Sequence, residues 1–303
     1  MRLAVTLGDP RGIGPEVAAK AAERFRIEEP SVELTLLGAT RAAPDEDDRS
    51  AGTVAAEAIE RAVALALDGS VHGIVTAPIM KPALHAAGRH FPGHTEMLQE
   101  LSGVPETGML MVAERTIAGP PLRVLLATTH LPLRDVPSHV TSERLVSQSR
   151  LLLSALRRDF GIASPRIALC ALNPHASDGG LFGDEEARVY GPALRTLQTD
   201  PTTPGTVDGP IPADTVFRRC LNGEFDAVVA PYHDVGMAAF KTVSFGAGVN
   251  VTLGLPFART SPDHGTAFDL AGKGVADASS MLEALRLAAR IHRSRFDSLP
   301  ARA

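Results

Sequence analysis

Short apolar runs alternate with longer stretches in which apolar residues return every three or four positions. Residues 3–7, 32–37, 73–76, 123–127, 166–172, 226–230 and 249–253 read as strands. Residues 15–25, 53–67, 141–156, 185–197, 214–221 and 279–296 read as helices. Pro15 suits the first position of its helix. Ile59, Val63 and Leu67 form one stripe, and Leu282, Leu285, Ala289 and Phe296 another. The strands are almost continuously apolar, as expected when both faces are covered. That predicts an α/β protein with mostly parallel sheets between helices. Residues 44–49 are a solvated charge run, and residues 201–212, rich in Pro, Gly and Thr, read as a surface loop. No repeat or low-complexity linker marks a domain border.

With 303 residues, two domains or one large α/β domain are expected. Apolar residues make up 44% and charged residues 21%, which excludes a disordered or fibrous chain. The net charge of −5 leaves no basic footprint for nucleic acid. Aromatic residues are 4% and Trp is absent, so no stacking platform for bases and no membrane belt is expected. Two cysteines, Cys170 and Cys220, make no disulfide framework, and Cys170 lies in an apolar run as a buried thiol would. No apolar stretch nears the roughly 18 residues of a membrane span. The first apolar run stops at Gly8-Asp9-Pro10, too short for a signal peptide, so a cytoplasmic location is expected.

The polar residues after the strands carry the chemistry. Three strands run into a histidine: Ala127-Thr128-Thr129-His130, Leu172-Asn173-Pro174-His175 and Pro231-Tyr232-His233. In open α/β sheets ligands bind beyond the carboxyl ends of strands. One such histidine reads equally well as a loop residue bonded to backbone. Three in equivalent places suggest imidazoles converging on a metal with an open position. His72, His85, His90, His139 and His292 have no such context. The glycines of residues 8–14 suit a tight strand-to-helix turn, or an anion at a helix N-terminus. No GxGxxG fingerprint is present there, because Val17 takes the third position; the pairs Gly246/Gly248 and Gly272/Gly274 fail likewise at Val251 and Asp277. Lys81 follows a strand, Thr95 reads as a helix cap, and Lys241, Asn250 and Arg259 could hold a phosphate or carboxylate. Residues 263–274 are a ligand loop or a long connection.

At these residues the chain resembles the 4-hydroxythreonine-4-phosphate dehydrogenase (PdxA-like) family over essentially its whole length. The matching strings are GDPRGIGPE, GHTE, ATTHLPLRDV, LNPHASDGG, GPIPADT, YHDVG and NVTLGLPFARTSPDHGTA. The resemblance implies the fold of isocitrate and isopropylmalate dehydrogenases: two α/β/α domains with the active site in the cleft between them. It places residues 1–92 with 248–303 in a terminal domain and 93–247 in a middle one. HGTAFDLAGKG looks like the adenosine-binding loop of those enzymes, so His264, Gly265, Thr266, Ala267 and Asp269 are expected to bind NAD or NADP. His130, His175 and His233 would hold a divalent metal, Zn²⁺, Co²⁺ or Mg²⁺. His94, Thr95, Lys241, Asn250 and Arg259 would bind a phosphorylated substrate. Lys81 and Asp214 are the candidates for proton transfer. A homodimer completing the site across its interface is implied, with no nucleic acid or membrane partner.

The implied reaction is oxidation of 4-phosphooxy-L-threonine by NAD(P)⁺ and decarboxylation to 3-amino-2-oxopropyl phosphate, in pyridoxal phosphate biosynthesis. Two other readings stay open: a paralogue acting on 4-phospho-threonate or 4-phospho-erythronate in sugar-acid catabolism, and a metal-dependent hydrolase with no redox step. A more distant branch, acting on aromatic dihydrodiols, is disfavoured by GHTE and the Lys/Asn/Arg set. The chain departs from the family pattern at Val235 and Ala239, where Gln and Pro are common. NPHASDGG replaces the commoner NPHAGEGG. The segment between Leu37 and Thr53 is shorter than the family norm.

Overall fold

The computed structural model describes residues 1–43, 45–244 and 246–297. The chain forms two compact units, residues 1–107 with 246–303, and residues 108–245. The first unit is built from both ends of the chain. It includes the GHTE segment, which the sequence reading put in the middle domain.

The first unit opens with β1 (Arg2–Thr6), α1 (Gly14–Glu28), β2 (Glu33–Leu37), α2 (Asp48–Leu67), β3 (Gly73–Thr76), α3 (Lys81–Ala86) and α4 (His94–Ser102). The second unit holds β4 (Gly108–Ala113), β5 (Leu122–Leu126), α5 (Val136–His139), α6 (Ser142–Arg158), β6 (Arg166–Cys170), α7 (Gly191–Thr199), β7 (Thr206–Ile211), α8 (Ala213–Leu221), β8 (Ala227–Ala230) and α9 (His233–Ser244). The chain returns to the first unit with β9 (Val249–Leu253), β10 (Ala258–Pro262) and α10 (Ser279–Asp297).

Strand order in the first unit is β2-β1-β3-β10-β9. The pairs run parallel except β9 against β10. In the second unit the order is β4-β5-β8-β6-β7, with β4 antiparallel to β5 and parallel pairing from β5 onward. The central strands β1, β3, β5 and β8 are buried almost throughout, as their unbroken apolar runs require. Each unit has its own core. Ile59, Val63, Ile74, Leu84 and Met97 pack together in the first, and Leu122, Val124, Val228, Phe217 and Phe240 in the second.

Local chemistry sets the helix limits. Asp47 accepts the N–H of Ser50 at 2.8 Å and caps α2, which therefore starts before the expected residue 53. Asp48 and Arg49 of the charge run lie in α2, and Pro44 of that run lies outside the described residues. Thr141 caps α6 through the Arg144 N–H at 3.2 Å. The α2 face is made of Ala51, Ala55, Ala56, Ile59, Ala62 and Val63, and these small side chains let α3 approach closely. A Cβ at Gly52 would stand 2.0 Å from the Ala83 carbonyl oxygen.

One expectation is corrected outright. Residues 201–212 are not simply a loop, because Thr206–Ile211 forms β7 and pairs with β6. As the last strand in the order it tolerates Gly209 and Pro210, which a central strand would not. The strands β4 and β10 and the helices α3, α5 and α9 are also absent from the sequence-based expectation. Both cysteines are free and buried, and burial pushes each thiol up to about 12. Among the described residues no helix is long and apolar enough to cross a membrane.

Candidate active site

In the second unit β5, β8 and β6 are neighbours and run parallel. The segments after all three therefore leave the same edge of the sheet. His130 follows β5, His233 opens α9 straight after β8, and His175 follows β6. The rings of His130 and His233 lie with centroids 5.5 Å apart. His233 Nδ1 donates to Asp234 Oδ1 at 2.7 Å, which fixes the tautomer and leaves the Nε2 lone pair as the ring's acceptor. The sequence showed the His-Asp pair but gave Asp234 no role. The His175 ring lies edge-on to Phe182, with centroids 6.4 Å apart. Among the described residues no three His, Cys, Asp or Glu side chains of one chain gather closely enough to hold a metal ion. Asp214 is exposed in the first turn of α8, beyond β7 and next to the β6 end.

In the first unit Arg259 is the second residue of β10 and is 2% exposed. Its Nη1 donates to Thr252 Oγ1 at 2.8 Å and its Nη2 to Thr76 Oγ1 at 2.7 Å. Its Nε is buried with no partner, and among the described residues it has no ion pair. Burial lowers the guanidinium to about 10, partly offset by attraction to Glu96. His94 Nε2 and Asn250 Oδ1 are likewise buried and unpartnered. Burial, and then the charge of Arg259, push the His94 imidazole well below its ordinary value. A buried cation with hydroxyls for neighbours and a spare N–H is costly on its own; a bound anion would satisfy it.

His94 also begins α4, whose N-cap is Gly93 with no side-chain capping bond. The expectation that Thr95 caps this helix is corrected: Thr95 lies inside the first turn, where backbone N–H groups face out. Lys81, exposed at the start of α3, reaches the same place, its Cε 3.8 Å and Glu96 Oε2 3.4 Å from where a Gly93 Cβ would stand. Lys241 lies in the last turn of α9 in the second unit.

The loop of His264, Gly265, Thr266, Ala267 and Asp269 belongs to the first unit. The Ile13 N–H donates to the Thr266 carbonyl at 2.9 Å, so the loop is laid on the β1–α1 turn. The two backbones meet there, since a Cβ at Gly12 would be 2.8 Å from that carbonyl oxygen. A Cβ at Gly14 would be 2.3 Å from the Leu7 carbonyl oxygen. The glycines of this turn thus serve close packing. His264 Nε2 is buried without a partner, and Ala267 takes φ 42°. Beside the loop lies a cleft of about 490 Å³, lined by Leu7, Arg11, Gly12, Leu36, Ala271 and Gly272 among others. That size suits a small-molecule subsite. Arg11 is held by Asp9 at 2.8 Å and Asp48 at 2.6 Å, and lies over the Phe268 ring at 5.7 Å.

The mixed α/β fold is shared with isocitrate dehydrogenase. The isocitrate dehydrogenase of Methylococcus capsulatus superposes with a TM-score of 0.56 over 97% of this chain and 86% of that one, at 16% identity. The model of the pyridoxal phosphate biosynthetic protein PdxA matches residues 11–288, and the chain belongs to that family of NAD(P)- and metal-dependent dehydrogenases. It is 42% identical to the 4-hydroxythreonine-4-phosphate dehydrogenase of Paracoccus denitrificans, covering 94% of this chain and 95% of that protein. It is 40% identical to the D-threonate 4-phosphate dehydrogenase of Cupriavidus necator, covering 95% and 96%. The crystal structure of 4-hydroxythreonine-4-phosphate dehydrogenase from Klebsiella pneumoniae superposes with a TM-score of 0.81, at 37% identity, over 96% of this chain and 99% of that one.

Proposed function

We propose that the protein oxidises 4-phosphooxy-L-threonine with NAD⁺ or NADP⁺ and releases CO₂, leaving 3-amino-2-oxopropyl phosphate. The observation that carries this reading is the buried, unpaired Arg259 with unpartnered atoms of His94 and Asn250 in the same unit. These groups suit a phosphate dianion, with Thr95 and the open first turn of α4 adding donors. Lys241 is assigned to the same phosphorylated substrate.

The histidines suit a divalent metal in their donor chemistry: imidazole nitrogens, with one ring already oriented by a carboxylate. We assign His130, His175 and His233 to it. A set completed by the second subunit of a homodimer accords with the lack of a three-residue cluster among the described residues of one chain. The loop of His264, Gly265, Thr266, Ala267 and Asp269, with the adjoining cleft, is assigned to the adenosine end of the dinucleotide. The active site is assigned to a cleft between the domains, as the resemblance implies.

A bound metal would supply Lewis acidity at the alcohol oxygen, and the nicotinamide would supply a hydride acceptor. The chain's own part is positioning and proton transfer. The His94, Asn250 and Arg259 group fixes the phosphate end and so the distance to the reacting carbon. Lys81 and Asp214 are assigned to proton transfer, taking the hydroxyl proton as the alcohol is oxidised and returning one to carbon after CO₂ leaves. The atoms balance: two electrons and one hydrogen go to the dinucleotide, and the carboxylate departs as CO₂.

A second reading rests on the similar identity to the D-threonate 4-phosphate enzyme. The two substrates differ at C2, amine against hydroxyl, while sharing the phosphate that the first unit suits. The test offers 4-phosphooxy-L-threonine and D-threonate 4-phosphate in turn, with NAD⁺ and with NADP⁺, and follows reduced dinucleotide and CO₂. Faster turnover of the threonine is expected. Faster turnover of the threonate selects the second reading. No reduction with either, or an undiminished rate after chelation, overturns the proposal.

A further inference from the structure

The segment after β6 that carries His175 has a backbone of the wrong hand. His175, Ala176, Ser177, Asp178 and Gly179 follow one another with φ between 44° and 71°. Four of these five are not glycine. Side chains in a left-handed turn crowd their Cβ against the next carbonyl, so such residues normally occur singly. A run of them persists only where its surroundings over-determine it.

What over-determines it is one carboxylate. Glu186 lies in the π-helical turn Glu186–Tyr190 that leads into α7, and it is 6% exposed. Its Oε1 accepts the N–H of Leu172 at 3.0 Å and of Asn173 at 2.8 Å. Its Oε2 accepts Asn173 Nδ2 at 2.9 Å and the Ser177 hydroxyl. The bonds reach both the entry to the turn and its middle, and His175 lies between. The clamp is itself anchored, since the Tyr190 hydroxyl donates to the Cys170 carbonyl at 3.0 Å at the end of β6. The Leu172, Asn173 and Ser177 donors on this carboxylate all come from the segment that presents His175.

We propose that Glu186 is a positioning residue for metal binding: it locks the left-handed turn and so aims His175, without touching the metal. The proposal rests on the reading of His175 as a metal ligand. With the carboxylate weakened, the turn would sample right-handed or extended conformations that swing the imidazole away.

The test measures Zn²⁺ affinity of the full chain by competition with a chelator, together with the melting temperature of the metal-free protein. Glu186→Gln keeps the shape but puts an amide NH₂ opposite the Asn173 and Ser177 donors. It is expected to weaken Zn²⁺ binding on the order of 10-fold while the metal-free protein still melts cooperatively at a somewhat lower temperature, and saturating Zn²⁺ should restore kcat. His175→Ala should weaken binding further and should not be rescued. Wild-type affinity in Glu186→Gln beside a lost affinity in His175→Ala overturns the clamp and leaves the metal reading standing. Wild-type affinity in His175→Ala overturns the metal reading at that residue, and the clamp with it. Should Glu186→Gln fail to fold, Ser177→Ala, which removes one bond from inside the turn, is expected to weaken Zn²⁺ about threefold; unchanged affinity there overturns the proposal.

Discussion

The two units accommodate costly groups by opposite means. The first keeps its backbone regular and stores the cost in electrostatics, placing Arg259 inside β10 with hydroxyl partners and, among the described residues, no ion pair. The second keeps its imidazoles at the ends of strands and stores the cost in the backbone, in the left-handed turn around His175. A desolvated guanidinium is ready for one kind of ligand, a compact anion, and meets it without reorganising. A turn held by hydrogen bonds can aim a neutral ligand that must stay accessible. Substitutions should therefore trade function against stability differently in the two units.

The largest effect is expected from Arg259→Met. Removing a buried, unpaired cation should leave the melting temperature unchanged or higher. It should also cut kcat/KM on the order of 10³-fold through lost phosphate binding. Steady-state kinetics with a melting curve checks both, and a variant that stays active, or that unfolds, breaks the contrast.

A smaller effect concerns acid. The folded-state value of His94 is depressed, by burial and by Arg259. Its contribution to stability is thus present above about pH 6.5, the ordinary histidine value, and is lost as pH falls below it. Stability should decline by at most about 1.4 kcal/mol per pH unit from this group. Urea midpoints at pH 7.5 and 5.5 measure the decline. Inorganic phosphate should flatten it, because an anion beside His94 favours the protonated ring. A slope that ignores phosphate would separate His94 from the anion site.

The smallest effect should come from Ala176→Gly. Glycine adopts φ 54° without the Cβ crowding that alanine suffers, so stability should rise by about 1 kcal/mol. Urea denaturation reads it directly. A loss of stability would mean that the turn is not strained.

The sequence displayed the parallel sheets because central strands such as Leu122–Leu126 and Ala227–Ala230 are apolar without interruption. It hid β10, Ala-Arg-Thr-Ser-Pro, because a buried strand made of polar residues has no apolar pattern to follow. That strand holds Arg259, so the residue could be named as a candidate from the sequence while its buried environment could not. Thr206–Ile211 was hidden by Gly209 and Pro210. The strand-end histidines were legible because parallel pairing sends successive carboxyl ends to one edge. The left-handed turn was not, because its handedness depends on Glu186, nine positions after Ser177, and no local preference of His, Ala, Ser or Asp announces it.

The contact between Gly12 and the Thr266 carbonyl has a practical meaning for anyone re-engineering the dinucleotide preference. Where one backbone rests on another, side-chain diversity has no room, and a library randomised over residues 8–14 would mostly discard folded protein. Variation has to enter through exposed positions of the facing loop, such as Phe268, Asp269 and Leu270, where new side chains can grow toward a nucleotide held as proposed while the turn beneath stays fixed.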